Sequence, residues 1–505
     1  MNTTAKPNGH RGSALVVALI MIGVLAALGA ATYLVLNNKY RVVHQAASWQ
    51  EALLTAEAGV DMAMTEIRRQ LYDTEPMWSA NNGWSKDEAG TRSTSKRVLL
   101  REGEGGTQSW TEVTVEWPEY LKDPSGEQWY RIVSHGYCQV SGGPIVAGAP
   151  EDLKLRKIDL KYSHRARIDG TEGTISQPVA HRVIEAIAKP QFAFRMALFA
   201  VKRIDMTDHN IVVDSYDSRD PKKSNWEEGA KEGTYPWIDP TDQRKGVNED
   251  KRQWNGDIGT NGDVINAGNA HIYGSANTNG GSVLNTDNIT GNYPDDPNRI
   301  RDDFSMAVPS VSAPQGGTQA TIDPKTALQA TTGDGTRVVV PNISLSGQDE
   351  LHITGEPGKE TYIEIVVMGD VTVGGQARIV MDPGVNVRLF VEGDADIAGN
   401  GVLNPNSPLS LQIYGCDREA DESTGEISDP GSIKIAGNGG FSGAIYAPTY
   451  NIEIKGGGNE DNVFGAFAGY NVTLTGVQSV HYDEALGDGG IVNGYNIVSW
   501  FEDER

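Results

Sequence analysis

Between Ser13 and Leu36 the chain reads SALVVALIMIGVLAALGAATYLVL, with no charged residue; charge returns at Lys39. As a helix rising ~1.5 Å per residue, that stretch reaches about 36 Å, enough to cross the hydrocarbon core of a bilayer. It is too long for the apolar core of a secretory signal, and no A-x-A site closes it, so it predicts a membrane-spanning helix that stays on the chain. Helical spacing continues beyond it. Ala46, Leu53, Val60 and Ile67 recur every seven residues, with Met64 and Leu71 on adjoining positions, which extends the helix to residue 72. Within the apolar half, Gly23, Ala27 and Ala31 set small residues on one face, where a second helix can approach closely; the bland alternative is ordinary small-residue content facing lipid.

After residue 72 the period changes. Over 73–200, TEVTVEW, YRIVSHGYCQV and LRKIDLKY (Leu155–Tyr162) alternate apolar and polar residues between Gly, Pro and Asp clusters, predicting a mixed, mainly β domain. Over 201–291 the apolar pulses shrink to a few residues in a Gly/Asn/Asp background, with Ile258, Val264, Ile272 and Val283 as inward candidates. Strands that short cannot bury their own faces and must stack on copies of themselves, as the coils of a parallel β-helix do. Residues 292–345 lose the pattern and read as a linker or excursion. The pulses resume over 346–486, where Val387, Leu389 and Val391, or Ile433 and Ile435, alternate inward in a second stack; 487–505 reads as a tail. A β-sandwich shares much of this pattern. The fold class is mainly β with one long N-terminal α-helix: a membrane-spanning helix, a mixed β region and a parallel β-helix.

Composition sharpens this. Gly reaches 59 residues while aromatics are 7%, which suits thin strands and many turns. A formal charge of −24 argues against nucleic acid as a partner and suits a soluble body exported from the cell. Lys6 and Arg11 favour a cytoplasmic N-terminus, although Lys39 and Arg41 stand on the other side. The two cysteines, Cys138 and Cys416, form no framework; one long-range bridge or two buried thiols are the readings.

His10-Arg11-Gly12 before the apolar run, with AEAGVDMAM at 56–64, resembles the N-terminal region of PilX-type minor pilins and related pseudopilins. The resemblance implies a leader of residues 1–12, cleaved by a prepilin peptidase between Gly12 and Ser13. It implies a helix, 13–72, that packs with other pilin or pseudopilin subunits, and a bacterial inner-membrane location with the bulk of the chain periplasmic or at the cell surface. The family's usual Glu at the fifth mature position is Val17 here, a departure shared with some minor pilins and with type II secretion pseudopilin K. GNGGFSGAIYAPTYNIEIKGGG, with HYDEAL at 481–486 and DSYDS at 214–218, is similar to the β-helical domains of pilin-like surface proteins and of bactofilins. No catalytic role attaches to that resemblance.

Few residues suggest chemistry. His481, Asp483 and Glu484 around Tyr482 could bind a metal or exchange protons, but further ligands at a recognised spacing are missing, and a hydrogen-bonded corner is the simpler reading. Asp214, Asp217 and Asp220, or Glu460 and Asp461, match no calcium loop and read as solvated turns. Tryptophans 78, 84, 110, 117 and 129 could stack sugars but read first as packing anchors. We therefore expect no catalytic, cofactor or metal site. The partners expected are the membrane, the peptidase and other subunits, with surface polysaccharide as a further candidate. A self-associating anchored β-helix, and a polysaccharide-acting β-helix with paired carboxylates, are the alternatives.

Overall fold

A computed structural model of the chain describes residues 11–69, 78, 82–86, 92–102, 108–121, 128–139, 179–206, 211–220, 222–224, 251–262, 264–333, 335–398, 400–419, 427–437, 441–456, 462–476, 479–490 and 492–503. The LRKIDLKY run, most of the leader, Leu71, and Glu460 with Asp461 lie outside the described residues.

The apolar run and the heptad spacing form one continuous helix, α1 (Arg11–Arg69). Its first half stands clear of the other described residues, with Leu19, Ile22, Leu25 and Leu28 exposed, and it is long and apolar enough to cross a membrane. Its second half buries Ala52, Ala56, Val60, Ala63, Met64 and Ile67. Of the heptad positions, Ala46 is exposed and Leu53 only half-buried, so the packed face begins higher up the helix than the spacing predicts.

That face lies on an antiparallel sheet of β1 (Ser85–Lys86), β2 (Ser93–Glu102), β3 (Gln108–Glu116), β4 (Tyr130–Gln139) and β5 (Val179–Phe192). Val113, Val115, Ile132, Ile184, Ala186 and Ala188 meet the helix. Backbones touch here: a Cβ on Gly136 would overlap the Ala52 carbonyl, and one on Gly59 would overlap Ser134 Oγ. Trp78 and Trp84 close the core edge to face at 4.7 Å, and Trp110 stacks on Tyr137 at 5.1 Å, so these rings are packing anchors.

The chain then leaves the sheet for the β-helix. It enters through β6 (Leu198–Asp205) and β7 (Val212–Tyr216). From there it climbs by β8 (Ile258–Thr260), β9 (Val264–Asn266), β10 (His271–Ile272), β11 (Ala276–Asn277) and β12 (Ser282–Leu284) to β13 (Ile300–Arg301), each coil pairing parallel with the one below. Ile258 and Ile272 point inward as expected, but Ile265 takes the place expected of Val264, and Val283 is only partly buried at the last coil.

Within 292–345, read as a linker or excursion, residues 302–317 form a strap that runs back along the outside of the stack. Asn261 Nδ2 donates to Met306 O (2.6 Å), Tyr446 OH to Pro309 O (2.9 Å), Asp417 N to Val311 O (2.9 Å) and Arg337 Nη1 to Gln315 O (2.6 Å). The strap delivers the chain to the opposite end, where β14 (Thr318–Gln319) and β15 (Leu328–Gln329) cap the first coil of the returning series. That series is β16 (Thr336–Val340), β17 (Ile343–Leu345) and β18 (Glu350–Thr354); β19 (Thr361–Val367), β20 (Val371–Val373) and β21 (Arg378–Met381); β22 (Val385–Val391), β23 (Ala395–Ile397) and β24 (Val402–Leu403); β25 (Leu411–Gly415) and β26 (Gly431–Gly437); β27 (Phe441–Gly456); and β28 (Asn462–Thr475) with β29 (Ser479–Asp483). β28 and β29 then pair parallel with β6 and β7. The two expected stacks are therefore one continuous ladder, with the earlier sequence segment forming its far end.

The ladder explains the pulses. Ile343, Val371, Ala395, Ile433, Ile452, Val472, Ile204 and Ile265 stand in register, one per coil, each buried by its neighbours above and below. The Asn- and Asp-rich corners have their own ladder: Asp370 N donates to Asn342 Oδ1, Asp394 N to Asp370 Oδ1, and Ser432 N to Asp394 Oδ1, at 2.9–3.0 Å. Polar corners satisfy the backbone where the coil turns.

The supposed tail is β30 (Val492–Asp503), which returns to pair antiparallel with β5 and completes a six-stranded sheet. The β-helix is thus inserted between two neighbouring strands of the helix-bearing unit. Tyr482 OH donates to Phe194 O (2.7 Å) at this junction, and Lys189 Nζ lies 3.7 Å from Asp488.

Candidate functional site

The residues singled out on α1 remain on α1 alone. Gly12 and Ser13 lie in its first helical turn. Gly23, Ala27, Ala31 and Val17 are exposed, and a Cβ on Gly23 would meet nothing within 4 Å. Higher up, an apolar cleft of about 510 Å³ opens beside Val42, Ala46, Trp49 and Leu53. Its wall is Arg182, whose guanidinium stacks over Trp49 at 4.7 Å and reaches Glu502 at 3.4 Å. Nothing in the sequence pairs these three, since Glu502 belongs to the returning strand.

HYDEAL and DSYDS, 267 positions apart, do meet, because β29 and β7 align His481 with Asp214 and Asp483 with Tyr216. Ser479 Oγ lies 2.7 Å from His481 Nε2, and His481 Nδ1 lies 2.5 Å from Asp214 Oδ1. Arg252 Nε donates to Asp214 Oδ2 at 2.7 Å, and its guanidinium lies over Tyr273 at 4.3 Å. Phe464 stacks on the imidazole at 4.9 Å. The order Ser, His, Asp is that of a hydrolytic relay, and here Ser479, His481 and Asp214 are all buried, at 5%, 1% and 0% exposure. Ser479 and Arg252 were not legible as members; only the strand register brings them together.

The neighbouring carboxylates are structural too. Asp483 Oδ1 accepts from Ser218 N and Ala485 N, capping the 3₁₀ turn Glu484–Asp488. Burial pushes its carboxyl up to about 6. Glu484 Oε1 accepts from Ser215 Oγ (2.9 Å) and Asn255 Nδ2 (2.7 Å). Asp217 is paired with Arg219, which also reaches Asp488 at 2.8 Å. The corner is a fastening between the two ends of the inserted domain.

Residues 359–488, about a quarter of the chain, match the family described as a domain of unknown function (DUF7305). The match runs from the second full returning coil through the fastened corner. No curated protein sequence matches the chain. Two of the solved structures to which the chain is similar are as follows. One is a competence-associated pilin, ComZ, from Thermus thermophilus, at 11% identity and TM-score 0.26, covering 90% of this chain and 97% of that one. The other is the DUF3494 domain of a Shewanella frigidimarina ice-binding protein, at 13% identity and TM-score 0.20, covering 58% and 99%. Overlaps at these scores carry no argument about this chain.

Among the described residues no group of His, Cys, Asp and Glu is placed to hold a metal ion. Cys138 and Cys416 are both free and buried, one in the antiparallel sheet and one in the β-helix, which removes the long-range bridge. Burial pushes the Cys416 thiol up to about 12, which disfavours its thiolate.

Proposed function

We propose that the chain is a minor-pilin-like envelope subunit. Its long helix is held in the bacterial inner membrane and docks with other pilin or pseudopilin helices, and its β-helix is carried outward as a displayed body for assembly or surface contact. One observation carries this reading: α1 is a single helix whose apolar first half is bare and whose second half is the spine of a compact sheet. That division suits a helix with two successive hosts, lipid and then a bundle of like helices. Val17, in place of the family's Glu, favours a place at a filament tip, where no subunit need neutralise the next. The role is structural rather than catalytic, which agrees with the burial of the Ser479–His481–Asp214 relay.

The test is the N-terminus of the mature protein, read by mass spectrometry in membrane and sheared surface fractions from cells with and without prepilin peptidase. A peptide starting at Ser13 only when the peptidase is present is the expected result. An intact Met1 in every fraction would overturn it. A self-associating β-helix is the second reading, favoured by the exposure of Leu284, Tyr293 and Ile300 around the last coil; it predicts filaments from the body without the apolar half of α1.

A further inference from the structure

The sides of the β-helix are not equally free. The strap 302–317 runs along one of them, held by Tyr446 OH at Pro309 O and by Asp417 N at Val311 O. The fastened corner and the segment 251–255 cover another stretch. A further side is the ladder β17, β20, β23, β26, β27, β28, β6, β9, β12, over which none of the described contacts of the strap or the corner runs. At ~4.8 Å per strand it runs about 38 Å. Midway along it, across β26, β27, β28 and β6, lies a groove of about 530 Å³.

Two columns of side chains line that groove. Ser432, Asn451, Asn471 and Arg203 stand in register, and beside them Lys434, Glu453, Thr473 and Asp205. The charges cancel. Arg203 pairs with Asp205 at 2.8 Å, Glu453 with Lys455 at 2.8 Å, and Asn471 Nδ2 donates to Asn451 Oδ1 at 2.7 Å. These contacts use only part of the hydrogen-bonding capacity. Lys434 Nζ has no ion-pair partner among the described residues, and Asn451 Nδ2, Asn471 Oδ1 and Thr473 Oγ1 have no partner there either. Donors and acceptors therefore alternate, unspent, at the spacing of the coils.

We infer that this groove binds a neutral polysaccharide chain laid across the coils. Sugar hydroxyls both donate and accept, which matches adjacent amide, hydroxyl, ammonium and carboxylate groups. A polyanion finds no net positive charge in a lining of Arg203, Lys434, Asp205 and Glu453, and an apolar peptide or acyl chain would find only the buried edge of Ile452. Without an aromatic platform, affinity comes from repetition, so a longer oligosaccharide binds more tightly than a disaccharide. The groove lies on the β-helix alone, so the inference holds whether or not α1 enters a filament.

The experiment uses the full chain in lipid nanodiscs, free of sugar-headed detergent, titrated calorimetrically with hexasaccharides of cellulose, xylan, mannan and chitin, and with an alginate hexamer as polyanion. We expect at least one neutral hexasaccharide to bind, and its affinity to fall by about tenfold in Lys434→Met and in Thr473→Val, as loss of one hydrogen bond to a ligand group does. Thr372→Val, on the same side but two strands beyond the groove, leaves affinity unchanged. Circular dichroism confirms that each variant is folded, and Asn471→Leu replaces either variant that is not. Binding of alginate alone, of no neutral glycan, or of the same glycan equally by the groove variants would overturn the inference.

Discussion

At the scale of single residues, two positions carry more than their size. Gly136 lies where the sheet backbone passes directly under α1, and any Cβ there collides with the Ala52 carbonyl and the Ala56 amide, neither of which can rotate away. Gly136→Val therefore lifts the helix from the sheet. We expect a loss of about 1–3 kcal/mol, read as a lower urea midpoint. Asp483 is the second. Its carboxyl is raised by burial from the ordinary carboxylate range to about 6, so the folded chain holds this proton more tightly than the unfolded chain. The contribution of this group to stability is accordingly greatest below the unfolded value and is lost as pH rises through about 6. Asp483→Asn keeps the oxygen that accepts from Ser218 and Ala485 but carries no charge. It should raise stability at pH 7.5 by on the order of 1–3 kcal/mol and flatten the profile between pH 4 and 6.

Among the elements, β30 shows best how local pattern and final role diverge. Its apolar residues are interrupted by polar ones and it ends in charges, so it reads as a tail. In the fold it contributes Tyr495 and Ile497 to the helix–sheet core and accepts Arg68 Nη2 at the Tyr495 carbonyl, 3.2 Å. Truncation before Val492 strips the partner from β5 and uncovers Ala186 and Ala188. The expected result is early melting of the helix–sheet unit while the β-helix transition persists, seen as two separated calorimetric transitions in place of one. α1 was legible almost whole, because a long apolar run followed by helical spacing leaves no other regular structure. Its packed face was misjudged by about two turns, since Ala46 gave the same signal as Val60 but has no sheet beneath it.

For the whole molecule, the insertion of one unit between adjacent strands of another means that the pairing of β5 with β30 closes a loop that holds the entire β-helix. The bare half of α1 then acts apart from both units. Gly23→Leu has room for its side chain and leaves the melting temperature unchanged, but it should lower recovery of the protein with sheared surface fractions, where helix must meet helix. Unchanged recovery would show that the Gly23, Ala27, Ala31 face is not a packing surface.

The sequence by itself determined the elements whose cause is local: the membrane-length helix, the short strands, the corners rich in Gly, Asn and Asp, and the mainly β class. Each follows from a period or a turn preference within a few residues. Tertiary structure alone decided what depends on register between distant segments. It joined the two stacks through β28 and β6, made 302–317 a strap, turned the tail into β30, and brought Ser479, His481, Asp214 and Arg252 into one buried chain. Parallel coils all present the same short apolar pulse, so their order along the stack is set by which ends the strap and the β5–β30 pair can reach, and no single coil carries that information.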